Sequence, residues 1–464
     1  MAETTGAGVV AALTQELGDL VITDLAVRAE KGRDRSYHSW EPPLAVVRPH
    51  STDDAAAAVR LCAAHGVPVV PRGSGTGLEG GCNTTAQSIC LDLSGMDQIL
   101  EVAADDMYAR VQAGVMKSSL NGTLAPHGLI FPVGPGVDAS VGGMASTSAS
   151  GTTAVSYGTL KENVIGLTAV LADGSVITTG GITKKSSAGY DLTHLLVGAE
   201  GTLGVITEVT VKVHPIPETA QVSVWSLPTL AAATELVVAA LRSSLRLARV
   251  ELLDELTIGA LARYNGMTFP VSPTLMVEFE GSPDEVSAQS AQFRRLAETH
   301  AATLAAEASE PAEAGRIWQA RHDALPSALA LVPGSAAMAS DVCVPISRLA
   351  ESVLAAKQDV EEAGILGPIV GHVGDGNFHV AYVLPPGDQE TFEKAKAVNE
   401  KVVARALEAG GTCTGEHGIG NGKIASMAAE HAAGIPAMLA IKQALDPQGI
   451  MNPGKVVPPV PSQA

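Results

Sequence analysis

Cysteine is sparse in this chain, and what there is lacks any recognisable pairing. Five thiols (Cys62, Cys82, Cys90, Cys343 and Cys413) are scattered over 464 residues, odd in number and without a CxxC spacing. That argues against a disulfide framework or an iron–sulfur cluster and reads as reduced cytosolic thiols. Long apolar runs are missing too. None reaches the roughly 18 residues of a membrane span, and Glu3 stands where a secretory signal would carry Lys or Arg. The expectation is a cytoplasmic protein, at most peripheral to the inner membrane. Basic residues are few: 30 Lys plus Arg face 49 Asp plus Glu, a net charge of −19. Since Lys and Arg supply affinity for a phosphate backbone, nucleic acid is not an expected partner.

What is present is apolar residue, 46% against 17% charged, enough to bury a large core, and a length that suggests two or three domains. Leu44–Arg48 reads as a strand, Ser51-Thr-Asp-Asp54 as a capped helix start running to His65, and Val67–Val70 as a second strand. Leu167–Leu171 and Val176–Thr179 form a hairpin around Asp173-Gly174, and Gly204–Val213 is a long strand ending at His214-Pro-Ile-Pro217, a domain boundary. Beyond Thr219, strands alternate with long helices, implying helices on one face of a sheet.

Glycine is in excess, 48 residues or about 10%, where roughly 7% is ordinary. It is also clustered: residues 73–81, 134–151, 198–204, 371–376 and 410–422 hold 22 of the 48, marking where backbone must approach a ligand. Gly75-Thr-Gly-Leu-Glu-Gly80 matches G-x-G-x-x-G, but a strand, Ile89–Leu93, follows where a nicotinamide site needs a helix. A diphosphate wrapped by successive backbone N–H groups remains compatible. Between Ser118 and Leu160 the single charge is Asp138, so this stretch offers hydroxyl and backbone donors to a large buried cofactor.

Gly371-His-Val-Gly-Asp-Gly-Asn-Phe-His-Val380 places His372 and His379 symmetrically about a tight turn. On a hairpin they are expected as cross-strand partners with Cβ atoms roughly 5 Å apart, able to share a metal ion. Gly415-Glu-His-Gly418 supplies Glu416 as a third ligand and leaves His417 as a base. Two satisfied core histidines are the alternative that spacing alone leaves open.

PRGSGTGLEGG, PVGPG, GGMAST, GAEGTLGVITEVTVKV, GHVGDGNFH, GEHGIG and GIMNPGK, in that order, resemble the flavin-linked D-2-hydroxy acid dehydrogenases. These belong to the vanillyl-alcohol oxidase/p-cresol methylhydroxylase superfamily, and the cytochrome-type D-lactate dehydrogenases are the nearest group. The resemblance implies an α+β fold: a two-subdomain FAD-binding domain of p-cresol methylhydroxylase (PCMH) type over 1–217 and a cap domain over 218–422. The cap carries an antiparallel sheet with flanking helices, and a C-terminal segment over 423–464 returns to the FAD domain. It implies non-covalent FAD, with Pro71, Arg72, Gly73, Ser74, Gly75, Thr76 and Gly77 at the pyrophosphate. Pro132, Gly134, Gly136, Gly142, Gly143, Ser146, Thr147, Ser150 and Gly151 lie toward the flavin, joined by Glu200, Gly204, Ile206 and Asn452. It also implies Zn²⁺ or Mn²⁺ on His372, His379 and Glu416.

On that footing a metal lowers the pKa of the substrate hydroxyl, His417 takes its proton, C2 gives a hydride to flavin N5, and Arg321 holds the substrate carboxylate. Relatives specific for D-2-hydroxyglutarate carry a Lys and an Asn where this chain has Ala339 and Ala381. A second carboxylate would then be buried with fewer partners, which favours a monocarboxylic acid such as D-lactate over D-2-hydroxyglutarate; D-2-hydroxyglutarate and glycolate are the alternatives within the family. The electron acceptor is expected to be a quinone, cytochrome or flavoprotein, and the protein a homo-oligomer. Readings of another class are a flavin-free metal-dependent hydrolase and a non-catalytic subunit. One departure from the family pattern is Ser148, where many relatives have Asn.

Overall fold

The computed structural model describes residues 2–459. The chain forms two compact units. Among the described residues, the first comprises those up to 150, 158–216 and those from 416 onward, the second 151–157 and 217–415. The proline pair at 215–217 thus sits at a junction, while the return at 415/416 and the assignment of 151–157 to the second unit have no counterpart in composition.

In the first unit, strands Val21–Ile22, Ala45–Val47, Ile89–Asp92 and Val69–Arg72 form a sheet in that spatial order, the last three parallel. The crossover helix Thr52–His65 opens on a capping box between Ser51 and Asp54 and closes on Gly66 at φ 63°. It buries Ala55, Val59 and Cys62 against Val47, Val69 and Leu91, small side chains that let helix and sheet approach closely. A five-stranded antiparallel sheet follows, in the order Ile99–Ala103, Tyr108–Gln112, Val205–Lys212, Val164–Val170, Val176–Gly180. The C-terminal helix Ile435–Leu445 leads to a segment that pairs with Val69: Val69 N donates to Ile450 O and Asn452 N to Val69 O, both at 2.8 Å. Asn452 is thereby fixed beside the start of a parallel strand whose other end, at Arg72, runs into the glycine loop.

The second unit is built on an antiparallel sheet. Its order is Thr303–Ala308, Thr219–Ser226, Thr274–Gly281, Arg249–Leu253, Ile369–Gly371, Asn377–Leu384, Ala336–Ala339, with Val342–Cys343 also pairing on Asn377–Leu384. Helices cover both faces, not one. Phe293 of helix Pro283–Thr299 packs against Trp225 and Phe279, whereas Trp318 of helix Pro311–His322 packs with Val224 and Met276, residues of opposite strand parity. The helices Glu255–Asn265, Pro311–His322 and Ala324–Ala330 were not legible in the sequence pattern. Burial on both faces makes Thr274–Phe279 continuously buried, without the alternation of a half-exposed strand.

Candidate functional site

The first unit gathers the glycine loops. Strand Val69–Arg72 runs directly into the loop beginning at Gly73, whose Cα lies where an added Cβ would strike Ser140 Oγ and press on Gly143 Cα. Ser74 N donates to Ser140 Oγ at 3.1 Å, which seats the loop on the start of helix Val141–Thr147. Gly142 leaves no room for a side chain beside the Ala113 backbone, and Gly75, at φ 68°, faces the Arg72 guanidinium, so Thr76 and Gly77 continue a loop that only glycine permits there. Arg72 itself donates to Arg33 O and contacts Cys82 Sγ at 3.6 Å.

At the other end of helix Val141–Thr147, Gly198 N donates to Ala145 O at 3.0 Å and Glu200 N to Ser146 O at 2.8 Å, so the 198–204 loop satisfies carbonyls that the helix leaves open. Gly204 precedes strand Val205–Lys212, in which Ile206 is buried. Ser148 adopts φ 50° as the left-handed cap of the helix, so the residue type at this position is first a backbone matter, Asn being the better left-handed residue. Pro132, Gly134 and Gly136 line a neighbouring turn, where Lys117 Nζ donates to Pro132 O at 3.0 Å, a cation the sequence pattern did not single out. Ser150 ends this unit's first segment, and Gly151 opens the short segment of the second.

Glu200 and Asn452 bind loops together. The Glu200 carboxylate accepts from Ile419 N at 2.6 Å and Gly420 N at 2.9 Å, and Asn452 Nδ2 donates to Gly81 O at 2.8 Å and Glu200 O at 2.7 Å. Burial pushes the Glu200 carboxyl up to about 7, against the two backbone donors that lower it. Asn452 Oδ1 and Arg72 Nε are buried with no hydrogen-bond partner among the described residues. Orphaned polar atoms beside a cradle of glycines fit a large polar cofactor lying along these loops.

His417 also lies in this unit. Its Nδ1 is 4.0 Å from Glu79 Oε1, which pairs with Lys423 Nζ at 3.0 Å, and its Nε2 is 3.9 Å from Glu416 Oε1.

In the second unit, His372 and His379 come together with rings 5.5 Å apart and nearly perpendicular. They are not direct cross-strand partners. His379 lies opposite Val370, and His372 falls in the turn, closed by Asp375 N donating to His372 O at 3.0 Å, because Gly376 at φ 81° tightens the chain reversal. The imidazoles are therefore diagonal neighbours on one face, still within reach of each other.

Each ring has its Nδ1 against an acceptor. His379 Nδ1 meets Ser340 O at 3.0 Å, and His372 Nδ1 meets Glu251 Oε1 at 2.6 Å. A hydrogen held on Nδ1 puts the lone pair on Nε2, the arrangement of metal-ligating imidazoles, so the donor set fits a divalent ion. Asp341, fully buried beside His379 at 3.6 Å, is held by Asn377 Nδ2 at 3.1 Å and Thr414 Oγ1 at 2.7 Å.

Arg321 joins the same face through Glu251: its Nε donates to Glu251 Oε2 at 2.6 Å. Glu251 is fully buried, yet its carboxyl lies below the ordinary range: burial raises it, and His372 and Arg321 together outweigh that. Sequence reasoning missed Glu251, whose one visible signal is a lone acid in the apolar strand Val250-Glu-Leu-Leu253.

Residues 216–456 match the family described as FAD linked oxidases, C-terminal domain, and residues 43–180 match the FAD binding domain family. A probable mitochondrial D-lactate dehydrogenase of Danio rerio is 43% identical over 436 residues, spanning 93% of this chain and 88% of its own. The mitochondrial D-lactate dehydrogenase [cytochrome] of Arabidopsis thaliana is 40% identical, spanning 96% and 79%. The crystal structure of p-cresol methylhydroxylase with substrate bound superposes with a TM-score of 0.79 at 17% identity over 97% and 96% of the two chains, a likeness of fold. Among the described residues no helix is long and apolar enough to cross a membrane.

Proposed function

Because this chain belongs to the FAD-linked oxidases, we propose that it oxidises a D-2-hydroxy monocarboxylic acid, D-lactate, to pyruvate, with a cytochrome as electron acceptor. The relatives' names support both substrate and acceptor. The observation that carries the monocarboxylate is the pairing of Ala339 with Ala381 across adjacent strands, with Ala381 two residues from His379 and so on the same face. Two methyl groups there suit the C3 methyl of lactate and offer no partner to a second carboxylate.

When bound, FAD accepts the hydride from C2, and a divalent ion, Zn²⁺ or Mn²⁺, acidifies the hydroxyl. His372 and His379 would offer Nε2 to that ion, with Glu416 as the third ligand that the family resemblance implies. Arg321 orients the substrate by its carboxylate. Since its Nε is committed to Glu251, the carboxylate meets the Nη1/Nη2 edge, a bidentate arrangement. His417 takes the hydroxyl proton on Nε2, and Glu79 lies toward its Nδ1.

The test is anaerobic mixing of the purified yellow protein with candidate acids. D-lactate is expected to bleach the flavin band, and chelation to stop the bleaching until Zn²⁺ or Mn²⁺ is restored. A kcat/KM for D-2-hydroxyglutarate or glycolate tenfold above that for D-lactate overturns the substrate assignment, and protein that takes up no FAD overturns the flavin role.

A further inference from the structure

We propose that Glu251 is a positioning residue that couples the carboxylate-binding Arg321 to the metal-binding His372, fixing the spacing between the two handles on the substrate; this rests on the roles given to those side chains above. Glu251 sits in mid-strand between Val250 and Leu252, fully buried, with one carboxylate oxygen for each partner at 2.6 Å. A charge at the centre of an apolar strand is costly unless both oxygens are engaged, and both are, by groups 70 and 121 residues away in sequence.

Three consequences follow from the geometry. The carboxylate accepts from His372 Nδ1 and so presents Nε2, which selects the tautomer that binds a metal. It also takes Arg321 Nε, which removes the side-on edge of the guanidinium and leaves the end-on edge for substrate. Finally, one rigid carboxylate holds both groups, so the distance from cation to metal is set within the strand rather than by two independent side chains. A 2-hydroxy acid carries carboxylate and hydroxyl on adjacent carbons and needs one such spacing, whereas a 3-hydroxy acid needs a longer one.

The test is Glu251→Gln, which keeps size and removes charge. With the amide oxygen on Arg321, the amide N–H faces His372 Nδ1 and drives the ring proton to Nε2. Affinity for Mn²⁺ and Zn²⁺, measured by competition with a chromogenic chelator, is expected to fall 10- to 100-fold while FAD content is unchanged. Arg321→Gln, which touches no metal, is the second variant and the deciding one should Glu251→Gln fail to fold. It is expected to weaken metal binding several-fold and to raise KM for D-lactate, with discrimination between 2-hydroxybutyrate and 3-hydroxybutyrate falling in parallel. Metal affinity within twofold of wild type in a folded Glu251→Gln or in Arg321→Gln overturns the coupling. Wild-type protein that binds neither metal overturns the metal assignment itself.

Discussion

Ala339 and Ala381 lie directly opposite each other in an antiparallel ladder, and His379 shares their face two residues along. Two positions read separately from the sequence therefore make one surface. The double substitution Ala339→Lys with Ala381→Asn places a cation and an amide side by side there. Since a hydrogen bond to a charged group contributes about 1.5–3 kcal/mol, the preference for D-2-hydroxyglutarate over D-lactate is expected to rise roughly 10- to 100-fold in the ratio of kcat/KM values. Unchanged selectivity in a variant that still holds FAD would remove these two residues from substrate recognition.

His417→Ala tests the proposed base. Loss of a positioned general base costs about 10²- to 10⁴-fold, so turnover with D-lactate should fall by that amount. The FAD loops do not include His417, and the visible spectrum should stay that of bound flavin. A kcat within tenfold of wild type would move proton abstraction to another group.

Much of this site was legible because its chemistry is local in sequence. The glycine runs announce close backbone approach, and the spacing of His372 and His379 brings the rings together even though the register differs from a symmetric hairpin. Glu251 was not legible. Its partners lie 70 and 121 residues away, and a single acid in an apolar strand carries no spacing to read. Helix Pro311–His322 was hidden for a related reason. Its apolar positions are few, and beside the packing of Ile317 and Trp318 it is docked by polar contacts, Trp318 to Glu278 and Arg321 to Glu251, that no hydrophobic period records. At Ser148 the left-handed backbone, a conformation that sequence spacing does not reveal, sets the first demand on the residue type.

Glu200 gives the protein a pH dependence of definite sign. Its folded-state carboxyl titrates at about 7, above the ordinary 4.5, with burial as the main cause. The native state therefore holds a proton that the unfolded chain has released. That contribution is complete below about pH 4.5 and is lost as pH rises through 7, at most roughly 3 kcal/mol by linkage. Glu200→Gln keeps an acceptor for Ile419 N and Gly420 N but cannot ionise. Between pH 5 and 8 its urea midpoint should fall less with rising pH than that of wild type, and parallel curves for the two proteins would show that Glu200 does not titrate in this range.

Lys442 holds the C-terminal segment that presents Asn452. Its ammonium donates to Asp446 Oδ2 at 2.5 Å, Thr202 O at 2.7 Å and Met451 O at 2.8 Å, and Asp446 in turn accepts from Ile450 N at 3.0 Å and Met451 N at 2.9 Å. Helix, strand-like return and the 198–204 loop thus meet at one buried charge pair, just ahead of Asn452, which donates to Gly81 O and Glu200 O. Lys442→Met keeps the length of the stem but strands the Asp446 carboxylate without its cation, a loss of about 3–5 kcal/mol. The double variant Lys442→Met with Asp446→Asn removes the stranded charge and should recover part of that stability. FAD retention through gel filtration should fall in the single variant and recover with the double. If the single variant loses stability while keeping FAD as tightly as wild type, the latch serves the fold alone, and Asn452 reaches its place without it.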